Sequence, residues 1–243
     1  AAFAGAAGRG QKAGPDFVEI HGASGYLVNQ FMSPLYNHRT DDYGGSREGF
    51  LRFAMEVYRA ARQTVGDDFP VIFRTAADEH LEGGCSLEDR IWMLQKLAEA
   101  GVDAFHVTGG TVDNMPYVIA PEALENGYNL AASEALKKAV SVPVITAGKL
   151  HDPELSDAAI AAGRTDLVSL GRALIADPDY PVKLLEGRES QIRRCVYCVQ
   201  HCLDIPASCT QNPDMGCADV HDYRPVQKPR RVLVAGSGHA GPE

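Results

Sequence analysis

The chain has 243 residues, a net charge of −9, 45% hydrophobic residues and 23% charged residues, the values of an ordinary globular protein with one or two domains. The acidic balance excludes the basic face that a nucleic-acid partner requires, and no apolar run approaches the 18 or so residues of a membrane helix. The opening AAFAGAAGRGQKAG has neither an initiator Met nor an apolar block suited to a signal peptide, so a cytoplasmic protein acting on a small molecule is expected.

Five short β-rich runs follow in order, at residues 17–20, 71–74, 104–107, 142–146 and 166–170. Helical stretches separate them. The first places Phe50, Phe53, Ala54 and Val57 at three- and four-residue spacing. The next opens at Ser86, a good N-cap, with Asp89 three positions on, and aligns Ile91, Leu94 and Leu97 on one face. Strands alternating with helices imply a parallel sheet, because parallel neighbours need a crossover. Each strand ends in polar or glycine-rich sequence: HGASGY, RTAADE, TGGTVDN, TAGKL and SLGR. In a TIM (β/α)8 barrel the chemistry sits at these C-terminal strand ends. About five βα units are legible where a closed barrel needs eight, so residues 1–187 read as a partial α/β barrel with Val18, Ile20, Ile72 and Val144 facing its interior. Such barrels place a phosphate site in the last two strand-end loops. Here those loops offer Gly148 and Lys149, then Gly171 and Arg172; glycine lets backbone approach closely, and arginine presents a fork of donors.

Residues 188–229 change character. Cys85 stands alone, whereas Cys195, Cys198, Cys202, Cys209 and Cys217 fall close together, which reads as a metal site rather than a disulfide framework. The CxxCxxxC spacing of Cys195, Cys198 and Cys202 plus a fourth cysteine suits a four-thiolate [4Fe–4S] cluster. Zinc more often takes two separated CxxC pairs. Cys209 is the expected fourth ligand, with Cys217 as the fallback. Residues 230–243 then run a strand into Gly236, Gly238 and Gly241, the G-x-G-x-x-G that opens a Rossmann-type domain. The chain reads as cut at both ends.

The string VEIHGASGYLVNQF from Val18 to Phe31, with Ser33-Pro34, Asn37, Arg39-Thr40-Asp41 and Tyr43-Gly44-Gly45-Ser46, resembles the Old Yellow Enzyme family. Within it the chain is most similar to the iron–sulfur-containing branch of 2,4-dienoyl-CoA reductases and trimethylamine dehydrogenase. The resemblance implies the C-terminal part of an FMN-binding barrel from its fourth strand onward. His21 matches the carbonyl-binding position and Tyr26 the proton donor, while Ser24 replaces the second polar partner, usually His or Asn. Arg74 matches the arginine at the flavin's N1/C2 edge, and Gly148, Gly171 and Arg172 match the FMN phosphate site, where Lys149 replaces the Arg or Asn often seen. The physical roles agree: an imidazole can stabilise charge developing on a carbonyl oxygen, and a phenol can deliver a proton to carbon. In an intact parent, NAD(P)H would reduce FAD, and electrons would cross the cluster to FMN and reach an enone or dienoyl thioester. The alternatives are amine oxidation, as in trimethylamine dehydrogenase, and a truncated remnant without catalysis.

Overall fold

The structure is a computed structural model that describes residues 1–216 together with Lys228, Arg231, Leu233 and Ala235. The glycines expected to open a Rossmann-type domain, Gly236, Gly238 and Gly241, lie outside the described residues, as does Cys217.

Five strands, β1 (Val18–Gly22), β2 (Val71–Asp78), β3 (Ala104–Gly109), β4 (Val144–Ala147) and β5 (Leu167–Ser169), form one sheet in sequence order. Every neighbouring pair is parallel. The crossovers are helical, as parallel pairing demands. Before β1 runs α1 (Ala2–Lys12); α2 (Leu27–Phe31) and α3 (Arg47–Val65) follow β1; α4 (Leu87–Glu99) follows β2; α5 (Met115–Val118) and α6 (Leu130–Ala139) follow β3; α7 (Pro153–Ala161) follows β4; and α8 (Arg172–Ala176) and α9 (Tyr180–Leu185) follow β5. Residues 192–216 contain no helix or strand. No helix among the described residues is long and apolar enough to cross a membrane.

The helix starts are set by side-chain caps. Ser46 Oγ accepts from Gly49 N–H at 3.0 Å to begin α3, and Ser86 Oγ accepts from Asp89 N–H at 3.1 Å to begin α4. The expected face of α4 is confirmed, with Leu94 and Leu97 buried. Helix α1 gave no helical signal in the sequence, because Gly5, Gly8 and Gly10 each weaken a helix by about 1 kcal/mol relative to alanine. Packing explains one of them: a Cβ on Gly10 would stand 2.9 Å from Val18 Cγ1. The helix is held by Phe3 edge-on to Phe53 and by Gln11 Nε2 donating to Val65 O at 2.7 Å.

Between helices and sheet lies the main core, which joins Val57, Tyr58 and Ala61 of α3 to Met93, Leu94 and Leu97 of α4 and to Val71, Phe73, Phe105 and Val107 of the strands. This corrects the expectation for the barrel interior. Ile20 and Val144 are buried in that helix-side core and Val18 packs against it. Only Ile72 falls on the opposite face, by the period-two alternation with Val71 and Phe73. A parallel sheet is covered on both faces, so its strands read as apolar runs that do not reveal which way each residue points. The alternation instead gives the inner face to Glu19, His21, Arg74 and His106.

Candidate functional site

The inner face concentrates polar groups at neighbouring positions. His21 of β1 is in register with Arg74 of β2, and Arg74 with His106 of β3. Glu19, two residues before His21 on the same face, binds both of the others: Oε1 lies 2.5 Å from Arg74 Nη2 and Oε2 lies 2.8 Å from His106 Nδ1. Burial pushes the Glu19 carboxyl up, but hydrogen bonding and charge from His106 and Arg74 more than offset this and hold it below its usual range. Burial, reinforced by the Arg74 charge, lowers the His21 pKa, so its imidazole is neutral at neutral pH and keeps one N–H donor. Three buried nitrogens on this face have no partner among the described residues: His21 Nδ1, Arg74 Nε and His106 Nε2. Buried polar atoms are ordinarily satisfied, so these nitrogens fit a polar ligand above the sheet.

Tyr26 sits just past the end of β1, 56% exposed, with its ring centroid 5.3 Å from that of His21 at an interplanar angle of 50°. The structure therefore brings the two expected catalytic side chains together. Ser24 is buried at φ 61° and forms a β-bridge with Thr111, so its place is fixed by backbone pairing.

Beside Arg74 opens a cavity of about 430 Å³, within the usual range of small-molecule sites, about 300–1,000 Å³. Arg74, Gly148, Lys149, Gly171 and Arg172 all line it. Gly148 has φ +140°, and a Cβ there would come within 3.0 Å of Asn129 Nδ2. Gly171 faces open space, leaving room for a ligand against its backbone. Arg172 Nη1 donates to Ala120 O at 2.6 Å and its guanidinium lies 4.6 Å from the Tyr197 ring centroid. Of its five N–H donors, Ala120 takes one. Lys149 is buried at φ 52°, and its Nζ donates to the carbonyls of Pro121, Glu122 and Leu124. It therefore anchors the 121–124 loop beside the cavity. A flavin with a phosphate fits Arg74, Arg172 and the two glycines better than it fits the lysine.

Cys195, Cys198, Cys202 and Cys209 line a second, smaller cavity, and Arg172, Ile175, Tyr197 and Cys202 line both. Cys195 Sγ accepts from Tyr197 N–H and Cys209 Sγ from Gln211 N–H, each at 3.4 Å. A hydrogen bond with Thr210 lowers the Cys198 thiol pKa, while burial raises that of Cys195. The donor chemistry suits a four-thiolate cluster. Among the described residues, however, no three His, Cys, Asp or Glu side chains stand at metal-binding spacing. Cys85 is remote from this group, buried beside Ser86.

Sequence reading missed Glu19, His106 and Tyr197. Glu19 and His106 had a signal: each is a polar residue inside an apolar strand run, and Glu19 shares a face with His21 by simple alternation. Tyr197 had none, because its packing depends on a loop without periodicity.

Residues 1–191 match the NADH:flavin oxidoreductase / NADH oxidase family. The chain is 43% identical, over 98% of its length, to NADH oxidase of Thermoanaerobacter brockii, and covers 38% of that protein. It superposes on the structure of 2-naphthoyl-CoA reductase with its 2-naphthoyl-CoA complex at a TM-score of 0.83 and 34% identity, covering 88% of this chain and 34% of that one. The match to histamine dehydrogenase from Rhizobium sp. 4-9 has a TM-score of 0.78 at 32% identity, covering 88% of this chain and 31% of that one. The chain thus spans well under half the length of these relatives. By its match over residues 1–191, the chain belongs to the NADH:flavin oxidoreductase / NADH oxidase family.

Proposed function

We propose that these residues form the C-terminal part of an FMN-dependent barrel and the cysteine segment of an enzyme that reduces activated C=C bonds with electrons from NAD(P)H. The observation that carries this reading is the pairing of a neutral His21 with Tyr26 at the end of β1, beside Arg74 and the cavity. Bound FMN would supply hydride to the β-carbon of an enone or dienoyl thioester. His21 donates an N–H hydrogen bond to the substrate carbonyl oxygen, which gains negative charge as the alkene is reduced. A neutral imidazole suits this role because it stabilises that charge without first giving up a full proton. Tyr26 delivers its phenolic proton to the adjacent carbon. Glu19 holds the Arg74 guanidinium in place, leaving its Nε free for the flavin ring edge. Arg172, Gly148 and Gly171 receive the phosphate.

Cys195, Cys198, Cys202 and Cys209 are the proposed ligands of a [4Fe–4S] cluster, supported by their common cavity and by the backbone N–H groups donating to two of the sulfurs. The cluster would pass single electrons to the flavin from an FAD domain of which Gly236, Gly238 and Gly241 are the proposed start. The shared wall of Tyr197 and Arg172 places the two cavities side by side. The likeness to histamine dehydrogenase favours amine oxidation as the second reading. Anaerobic assay of the FMN-loaded enzyme decides between them: turnover of an enone or dienoyl-CoA with NAD(P)H supports the first. Reduction of the flavin by an amine, a primary amine such as histamine or a tertiary one, without enone turnover, supports the second.

A further inference from the structure

Taking Tyr26 as the proton donor of the reaction proposed above, we infer that Asn29, backed by the buried Glu79–Arg90 pair, is the positioning residue that fixes it. Among the described residues the Tyr26 hydroxyl has no hydrogen-bond partner, and the side chain is 56% exposed. Apart from the His21 ring beside it, Tyr26 is held through its backbone, its N–H donating to Ala23 O at 3.3 Å and its carbonyl accepting from Gln30 N–H at 2.9 Å, so the turn before it sets its position. Ser24 and Gly25 both take the left-handed region, at φ 61° and φ 77°, a conformation that non-glycine residues adopt only when their surroundings impose it. Gly25 is clamped at both ends: its N–H donates to Asn29 Oδ1 at 2.9 Å and its carbonyl accepts from Gln30 Nε2 at 2.8 Å.

Asn29 in turn is held at both ends of its amide. It is buried, and its Nδ2 donates to Glu79 Oε1 at 2.7 Å. Glu79, 1% exposed, gathers three more donors: Arg90 Nη2 at 2.8 Å on the same oxygen, and Ser33 Oγ at 2.7 Å and Cys85 N–H at 3.1 Å on the other. Two of these partners, Asn29 and Ser33, belong to the segment that carries Tyr26, while Cys85 belongs to the β2–α4 connection and Arg90 to α4 itself. The carboxylate therefore ties consecutive βα units together below the surface, and Asn29 passes that rigidity to the turn preceding Tyr26. Arg90 is buried, with Nε and Nη1 unpartnered among the described residues. Such a charge persists in the interior only because Glu79 faces it. A buried ion pair is a poor source of stability but a good source of fixed geometry, which is what a side chain with no hydrogen bond of its own requires.

Asn29→Ala cuts the link to Gly25 while leaving the Glu79–Arg90 pair in place; Asn29→Ser serves if the alanine variant does not fold. Two measurements test the inference. In the FMN-loaded enzyme, Asn29→Ala should slow alkene reduction by about 10- to 100-fold, the scale of a small misplacement of a reacting group, with flavin reduction by NAD(P)H unchanged. On a Tyr26→Phe background the same change should cost nothing further, because coupled residues are non-additive; an equal loss on both backgrounds overturns the inference. The second measurement is amide exchange in the 243-residue chain. Gly25 should exchange at least about tenfold faster in Asn29→Ala, while β2 and β3 amides keep their protection; unchanged Gly25 exchange overturns the inference. Should Tyr26→Phe alone leave alkene reduction intact, the proton-donor reading fails, and the exchange result still decides whether Asn29 fixes this turn.

Discussion

The strand-end layer and the cysteine segment hold their residues in opposite ways. His21, Arg74 and His106 sit at adjacent register positions of three hydrogen-bonded strands, and the other face of those strands is anchored in the helix-side core. Their spacing is a property of the ladder and needs no ligand. The four described cysteines of the second cavity lie where no helix or strand runs. A few contacts tie their segment to the α/β unit: Arg193 N–H on Asp177 at 2.8 Å, Asn212 Nδ2 on Ile175 O at 2.8 Å, and the Tyr197 ring beneath Arg172. The difference teaches that one site is built by the fold, whereas the other, on the proposed cluster reading, would depend on what its thiols bind, since metal binding to a segment with little structure of its own supplies folding free energy.

The sharpest way to break this contrast is to act on the thiols. Anaerobic reconstitution with iron and sulfide should give about four irons per chain with a broad absorbance near 400 nm. Cys198→Ser should abolish it, and a protease should then cut within residues 192–216 while the sheet survives. One bound zinc without a visible band would contradict the cluster.

The converse change strikes the ladder. Phe73 is buried at 0% exposure in the middle of β2, with its neighbour Arg74 on the inner face. Phe73→Ala should lower stability by about 3–5 kcal/mol in denaturant unfolding and should weaken both sites, since the cysteine segment leans on the α/β unit. A smaller effect is expected at the α4 cap: Ser86→Ala should cost about 1 kcal/mol, visible as a lower unfolding midpoint with unchanged iron content.

The mildest test is acid. The Glu19 carboxyl is held below its usual value of 4.5, so its link to His106 and Arg74 contributes stability above that pH. The contribution is lost as pH falls through the lower folded-state value. Glu19→Gln should remove that part of the acid sensitivity, seen as a shallower loss of stability below pH 4.5 in the variant than in the parent.

Where the sequence carried a period or a cap, the fold was legible. The five strands and the Ser86 cap lie at or within a few residues of their expected places, because alternation and capping are local. The face of each strand was not legible: Ile20 and Val144 joined the helix-side core although an apolar run offers no direction. Helix α1 was hidden by its glycines, of which Gly10 makes sense only against Val18. In the site, His21, Tyr26 and Arg74 were readable as polar residues at strand ends. Lys149 was readable as a cation by a glycine, but its attachment to the 121–124 loop depends on a connection that closes over it from another part of the chain. The Asn29–Glu79 contact spans 50 positions, beyond the reach of any local pattern.

The most direct measurement is stopped-flow kinetics of the two half-reactions in the FMN-loaded enzyme carrying Tyr26→Phe, a change that removes the phenolic proton and keeps the ring beside His21. Flavin reduction by NAD(P)H should proceed at the parent rate, and alkene reduction should fall by about 10²–10⁴, the contribution of a positioned acid. Alkene reduction at the parent rate in Tyr26→Phe would contradict the assignment of this strand end as the site of proton delivery.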